Sequence, residues 1–251
     1  MPTATTIQEV LEQLDEIITE CIATNNRMGL FAYVYRRTTA EIALEISLGH
    51  FENNQRLEIM DVAFANLYLE AYQRYKNNQE ISKSWAFAFN NSNESLSILQ
   101  HIMLGMNAHI NLDLAIATAA TMNGKDINAI KNDFNKVNDI LFRITNELQA
   151  RLSRVSPILF LLDWFGKNSD EMIIDFSMRK AREQAWNSAK LLWSLGTNYN
   201  PDAIKNIDNL VLKVAEIIRN PKSKIIGFVL KIISFFEVKT VGKVIDKLRV
   251  D

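Results

Sequence analysis

Four residues with chemistry to offer stand four apart in one stretch: His101, Gly105, His109 and Asp113. Residues at that spacing share one face of a helix. Their surroundings, Ile98 to Ala115, are otherwise mostly apolar, apart from Asn107 and Asn111. An imidazole and a carboxylate on adjacent turns, such as His109 and Asp113, converge well enough to ligate one metal ion. His101 lies eight residues earlier, about 12 Å along a helix axis, too far to share that ion. Its expected role is general acid or base, because an unperturbed imidazole titrates near neutral pH. Gly105 between them disfavours a helix by about 1 kcal/mol relative to Ala. Either a second helix or a ligand must approach closely there. The competing reading is a hydrogen-bonded network of buried His and Asn that fixes helix register.

Other stretches offer partners for this ridge. Asp61, flanked by Met60, Val62 and Phe64, is a candidate third metal ligand; a cap or an Arg partner explains an inward Asp as well. Arg36, beside Tyr35 and Thr38, could hold an anionic group bidentately, or make a surface salt bridge. Asn107 is a candidate hydrogen-bond donor to substrate. Asn138 is the inward candidate of the set Asp133, Asn138 and Asp139. Arg179 and Arg182 fit a solvated charged face about as well as a site. Trp85, Trp164, Trp186 and Trp193 read as core. Glycine-rich phosphate loops, the His-Glu-x2-His pattern, nucleophile elbows and cysteine pairs for zinc are all missing.

The elements that would position these residues are helices. Only 8 Gly and 4 Pro interrupt 251 residues, and the apolar period is close to 3.6 throughout. Thr6 and Glu9 have capping-box spacing ahead of a helix to about Thr24. Helices follow over about 28–48, stopping at Gly49, and about 54–75. Residues 76–93 read as a polar loop broken by Trp85, Phe87 and Phe89. The central helix is expected from Glu94 to about Thr121, and another, capped by Asp126, reaches about Val155. A short apolar segment, 158–165, precedes a helix from Asp170 to Leu195. Pro201 opens one to about Arg219. The expected fold is all-α: a single-domain bundle of eight to ten helices around the polar-ridged one. Residues 1–219 form the domain, and 220–251 an amphipathic helical tail packed on it.

Net charge is −1, so no global field draws the chain to nucleic acid. One cysteine, Cys21, excludes a disulfide framework. No 18-residue apolar run marks a membrane span, no signal peptide is visible, and a cytoplasmic protein is expected. The tail sets Lys222, Lys224, Lys231, Lys239, Lys243 and Lys247 among Ile, Val, Leu and Phe. That composition suits an interfacial helix, but packing against the core is the stronger expectation, leaving weak peripheral membrane contact at most.

The run from Gln100 to Leu114 (Gln-His-Ile-Met-Leu-Gly-Met-Asn-Ala-His-Ile-Asn-Leu-Asp-Leu) resembles the hallmark of an uncharacterised bacterial domain-of-unknown-function family, family 5995. Tyr35-Arg36-x-Thr38, Asp61-Val-x-Phe64-Ala65, Ser84-Trp85, Asp133-Phe134-x3-Asn138-Asp139 and Arg182-x3-Trp186 fit its pattern in the same order. The resemblance covers about residues 7–195. It implies a single all-α domain centred on residues 101–113 and lends no activity.

Two functions follow as expectations. The leading one is an enzyme, with a divalent metal ion (Zn, Mn or Fe) or by metal-free acid–base chemistry, that acts on a small or lipid-like substrate beside the central helix. His109, Asp113 and Asp61 would hold the ion, and His101, Asn107 and Arg36 would serve catalysis. The alternative is a non-catalytic helical protein that holds an apolar or amphipathic ligand among its 13 Phe, 6 Tyr and 4 Trp. Either fits a monomer or a homodimer.

Overall fold

A computed structural model describes residues 2–156, 178–196 and 201–249. All regular structure among the described residues is helical, with no strand. The elements are α1 (Ile7–Ala23), α2 (Met28–Ser47), α3 (Asn54–Lys76), α4 (Lys83–Asn90), α5 (residues 98–121), α6 (Lys131–Val155), α7 (Met178–Ser194), α8 (Pro201–Arg219), α9 (Lys224–Phe236) and α10 (Val241–Leu248). The apolar segment expected over 158–165, Trp164, the start of the helix expected from Asp170 and the side chain of Arg179 lie outside the described residues.

Local signals set most boundaries. Thr6 accepts from the Glu9 amide and the Glu9 carboxylate closes the box behind it. Gly49 adopts φ 73° after α2 and Gly124 adopts φ 70° after α5, the left-handed conformation that ends helices. Two expected boundaries move. The central helix begins at Ile98 rather than Glu94, because Ser97 and Gln100 form its capping box. Asp126 caps a short 3-10 turn, Ile127–Ile130, and α6 starts after it. The expected loop over 76–93 contains α4, whose N-terminus is capped by Ser82.

Long-range carboxylates satisfy several helix starts. Asp133 on α6 accepts from the amides of Glu52 and Asn53, at 2.7 and 3.1 Å, and from Arg56 at the start of α3. Asp208 on α8 accepts from the amides of Lys83 and Ser84 and from the Ser84 hydroxyl. Glu237, just after α9, accepts from the Ile98 amide at 2.8 Å. Helix N-termini leave unpaired amides and favour negative charge, so each acid locks one helix against another. Through them α3, α4 and α5 are each tied to an element far along the chain.

The core is one continuous cluster that extends from Ala4 to Leu248. α5 runs through it: Leu104, Ala108, Leu112, Leu114, Ala115 and Ala119 are all buried.

Candidate functional site

Helix α2 packs beside α5 with matched four-residue steps. Arg27, immediately before α2, reaches Nε2 of His101 at 3.0 Å. Phe31 fills the space that Gly105 leaves: a Cβ there would lie 2.3 Å from its Cγ. Tyr35 meets the ring of His109 edge-on, centroids 4.3 Å apart. The partners 27, 31 and 35 rise with 101, 105 and 109, so the two helices run parallel. The close approach at Gly105 is therefore made by a neighbouring helix.

The ridge changes character at His109. Residues His109–Asp113 form a single π turn, with the Leu114 amide donating to the His109 carbonyl. Such turns are uncommon and recur at functional sites. Here Nδ1 of His109 lies 2.9 Å from Oδ2 of Asp113. Nε1–H of Trp85, on α4, donates to the same oxygen at 2.9 Å. Phe64 stacks on the imidazole at 3.6 Å, and Phe31, Tyr68 and Trp85 stand 5.7–6.1 Å away. His109 is 2 % and Asp113 3 % exposed.

Inside this aromatic box several polar atoms lack partners. Among the described residues, Nε2 of His109, the hydroxyls of Tyr35, Tyr68 and Thr39, and Oδ2 of Asp61 are buried without a hydrogen bond. The Thr39 hydroxyl lies near enough to Tyr35 to ease its ionisation slightly, but not in hydrogen-bond geometry. An unsatisfied buried polar group costs about 1–3 kcal/mol, so native folds keep few of them. Three of these atoms belong to His109 and to rings packed around it; Thr39 lies four residues after Tyr35 on α2, and Asp61 three residues before Phe64 on α3.

Burial dominates the electrostatics. It pushes His109 well below the usual imidazole range, so the ring is neutral. It pushes Asp113 well above the carboxylate range, against the pull of the Trp85 hydrogen bond. Asp61 rises to about 7 by burial, with Arg182 opposing. Arg182 is itself lowered to about 9 by burial, with Asp61 opposing. Its guanidinium sits 4.3 Å over the Phe134 ring, and it donates to Asn138 Oδ1 and the Phe134 carbonyl. Asn138 does face inward, and Arg182 belongs to this buried network rather than to a solvated face.

The remaining candidates are dispersed. His101, buried at the N-terminal end of α5, has its pKa lowered to about 3 by burial and by Arg27. Arg27 also donates to the carbonyls of Glu94 and Leu96, closing the loop that precedes α5. Asn107 donates to the Val211 carbonyl and accepts from Asn111, tying α5 to α8. Arg36 makes a bidentate pair with Asp15, both bonds 2.9 Å, at the surface. Among the described residues no three His, Cys, Asp or Glu side chains gather closely enough to hold a metal ion. Of the six candidates, His109 and Asp113 touch; Asp61 is within electrostatic reach of Tyr35 but does not join them in a metal-holding group. Trp85, Phe64 and Tyr68 complete the site without having been singled out for it. The signal was present in Trp85: a buried indole needs an acceptor for its N–H, and Asp113 is one of few buried carboxylates.

No curated protein and no solved structure matches the chain. A family model, described as a family of unknown function (DUF5995), matches residues 7–221, a span that holds the π turn, its aromatic box and all six candidate residues. With most of its length inside that match, the chain belongs to family DUF5995.

Proposed function

We propose that this protein is an enzyme in which His109 transfers a proton through Nε2 to or from a small or lipid-like substrate. One observation carries the reading: a buried imidazole with one nitrogen tied to a carboxylate and the other unpartnered. In this reading Oδ2 of Asp113, which accepts from the Trp85 indole, accepts from Nδ1–H of His109 as well, and Nδ1 is the protonated nitrogen. The lone pair of Nε2 is then free for a substrate proton, and the neutral ring is the form that accepts one. Asp113 and Trp85 are positioning residues, and Tyr35 and Tyr68 offer hydroxyls to a polar group of the substrate. The five rings suit an apolar or aromatic body. Entry requires the box to open, because His109 is closed off from solvent.

Nitrogen NMR of the imidazole checks the assignment without a substrate. Nδ1 should be protonated and Nε2 bare between pH 5 and 8; a protonated Nε2 would remove the base. A thermal-shift screen of small esters, amides and fatty acids, followed by turnover assays of the hits, tests the reaction. His109→Gln should abolish turnover, and Asp113→Asn should reduce it on the order of a hundredfold or more. Ligands that bind the box without turnover would leave the non-catalytic binding protein as the better reading.

A metal version uses the same atom. An imidazole that ligates a metal commonly gives its other N–H to a carboxylate; Nδ1 of His109 lies within hydrogen-bond distance of Asp113, and Asp61 Oδ2 is also unpartnered. Zn²⁺, Mn²⁺ or Fe²⁺ should then raise the melting temperature of the wild type and leave His109→Ala unchanged. Elemental analysis of untagged protein without stoichiometric metal, and no shift on addition, would set this version aside.

A further inference from the structure

The family match ends at residue 221, and α9 begins three residues later with two apolar faces instead of one. Ile226, Val229, Leu230 and Ile233 recur at i, i+3, i+4 and i+7 and are buried in the core. Ile225, Phe228, Ile232 and Phe235 recur at i, i+3, i+7 and i+10 on the other side, with Phe236 beside them. Phe228 is 64 %, Phe235 76 % and Phe236 61 % exposed. Single exposed apolar residues are ordinary, but a continuous stripe of them marks an interaction surface. Among the described residues no helix is long and apolar enough to cross a membrane, so any bilayer contact made by α9 would lie along the surface.

Charge identifies the partner. Residues 222–251 hold seven of the chain's 28 Lys and Arg and three of its 29 Asp and Glu. One of those acids, Glu237, is buried and engaged with the Ile98 amide. Lys224 and Lys231, seven apart, are exposed along one flank of the Phe stripe, and exposed Lys222 and Lys239 bracket the helix. Aromatic residues facing outward with lysines along their edge are the pattern of a helix lying in a lipid headgroup layer, and lysines are drawn to an anionic one. A second copy of this chain would bring the same lysines against each other.

We propose that α9 docks the protein on anionic bilayer surfaces, with Phe228, Phe235 and Phe236 entering the headgroup layer and Lys224 and Lys231 engaging lipid phosphates. The proposal does not depend on the chemistry assigned to His109. The test is co-sedimentation of the full chain with vesicles of mixed phosphatidylglycerol and phosphatidylcholine, against vesicles of phosphatidylcholine alone. Binding should be selective for the anionic vesicles and weaken at high salt. Each of Phe228→Ser and Phe235→Ser should weaken it about tenfold or more, and each of Lys224→Glu and Lys231→Glu about fivefold. All four side chains are exposed, so circular dichroism and melting without lipid should match the wild type. No sedimentation with anionic vesicles overturns the proposal. So does a dimer in sedimentation velocity that the Phe substitutions dissociate, which would assign the face to a second copy. A marked loss of melting temperature without lipid in the Phe variants also overturns it, because the stripe would then be covered by the chain itself.

Discussion

At the scale of single residues, the site depends on what fills the space around one imidazole. Phe31 occupies the groove at Gly105 and also stands 5.7 Å from His109. Gly105→Ala would push that ring into the box, because a Cβ meets Phe31 Cγ at 2.3 Å and Cδ2 at 2.7 Å. Overpacking of this kind destabilises by about 1–3 kcal/mol. Urea denaturation should show that loss, and the double variant Gly105→Ala with Phe31→Leu should recover part of it. His101 has a different signature. Its folded pKa lies near 3 against an unfolded 6.5, so below pH 6.5 the unfolded chain takes up a proton that the folded one refuses. Stability is therefore lost as pH falls from 6.5 toward 3, by up to about 1.4 kcal/mol per unit from this group. His101→Gln keeps an acceptor for Arg27 and removes the proton, so stability should fall less steeply across that window. An unchanged slope would mean that His101 is protonated in the folded protein. Asp61 acts in the opposite direction. With its carboxyl raised to about 7, stability declines as pH rises from 3.8 to 7, and Asp61→Asn should flatten that decline.

At the scale of elements, the box is assembled by helix ends as much as by helix faces. α4 has only eight residues, too few to be stable alone. Its first amides are held by Asp208 on α8, which also bonds the Ser84 hydroxyl at 2.6 Å. The next residue is Trp85, whose indole holds Asp113. Asp208→Ala should thus lower stability by about 1–3 kcal/mol, measured by denaturant unfolding. It should also shift the indole N–H resonance of Trp85, as the bond to Asp113 loosens. A loss of stability with that resonance unmoved would show that packing alone seats Trp85. The π turn supplies the other half of the geometry. It widens α5 where His109 and Asp113 meet, and the helix resumes at Leu114 with its apolar side still in the core.

At the scale of the whole molecule, the described helices share one core, and α9 and α10 belong to it. Ile226, Val229, Leu230, Ile233, Val241, Val244, Ile245 and Leu248 are buried. The Val241 amide bonds Asn25 Oδ1 at 2.8 Å, and Arg151 donates to the Leu248 carbonyl. Burying one such side chain contributes about 1.5–3 kcal/mol, and a domain is stable by only about 5–15 kcal/mol. A chain ending at Asn220 loses all eight, and loses Glu237 from the start of α5. It should be insoluble or show no cooperative melting transition. A truncated chain that melted cooperatively near the wild-type temperature would make the tail an accessory.

The helical class followed from the sequence because caps and apolar period are local properties. Thr6 with Glu9, Gly49 and Gly124 each end or begin a helix through bonds and torsions within a few residues. The polar ridge of α5 was legible for the same reason, since i, i+4 spacing is enough to place His109 beside Asp113. α4 was not legible: Trp85, Phe87 and Phe89 alternate like a strand or loop, and the carboxylate that secures the helix comes from Asp208, more than 120 residues away. Nor could spacing separate the two histidines. His101 and His109 lie on one ridge, yet α2 sets a guanidinium against the first and aromatic rings around the second. Local sequence dictated which side chains could meet along a helix. Burial, and the partners that distant helices bring or withhold, was decided only when the chain packed, and those are what leave Nε2 of His109 neutral and unpaired.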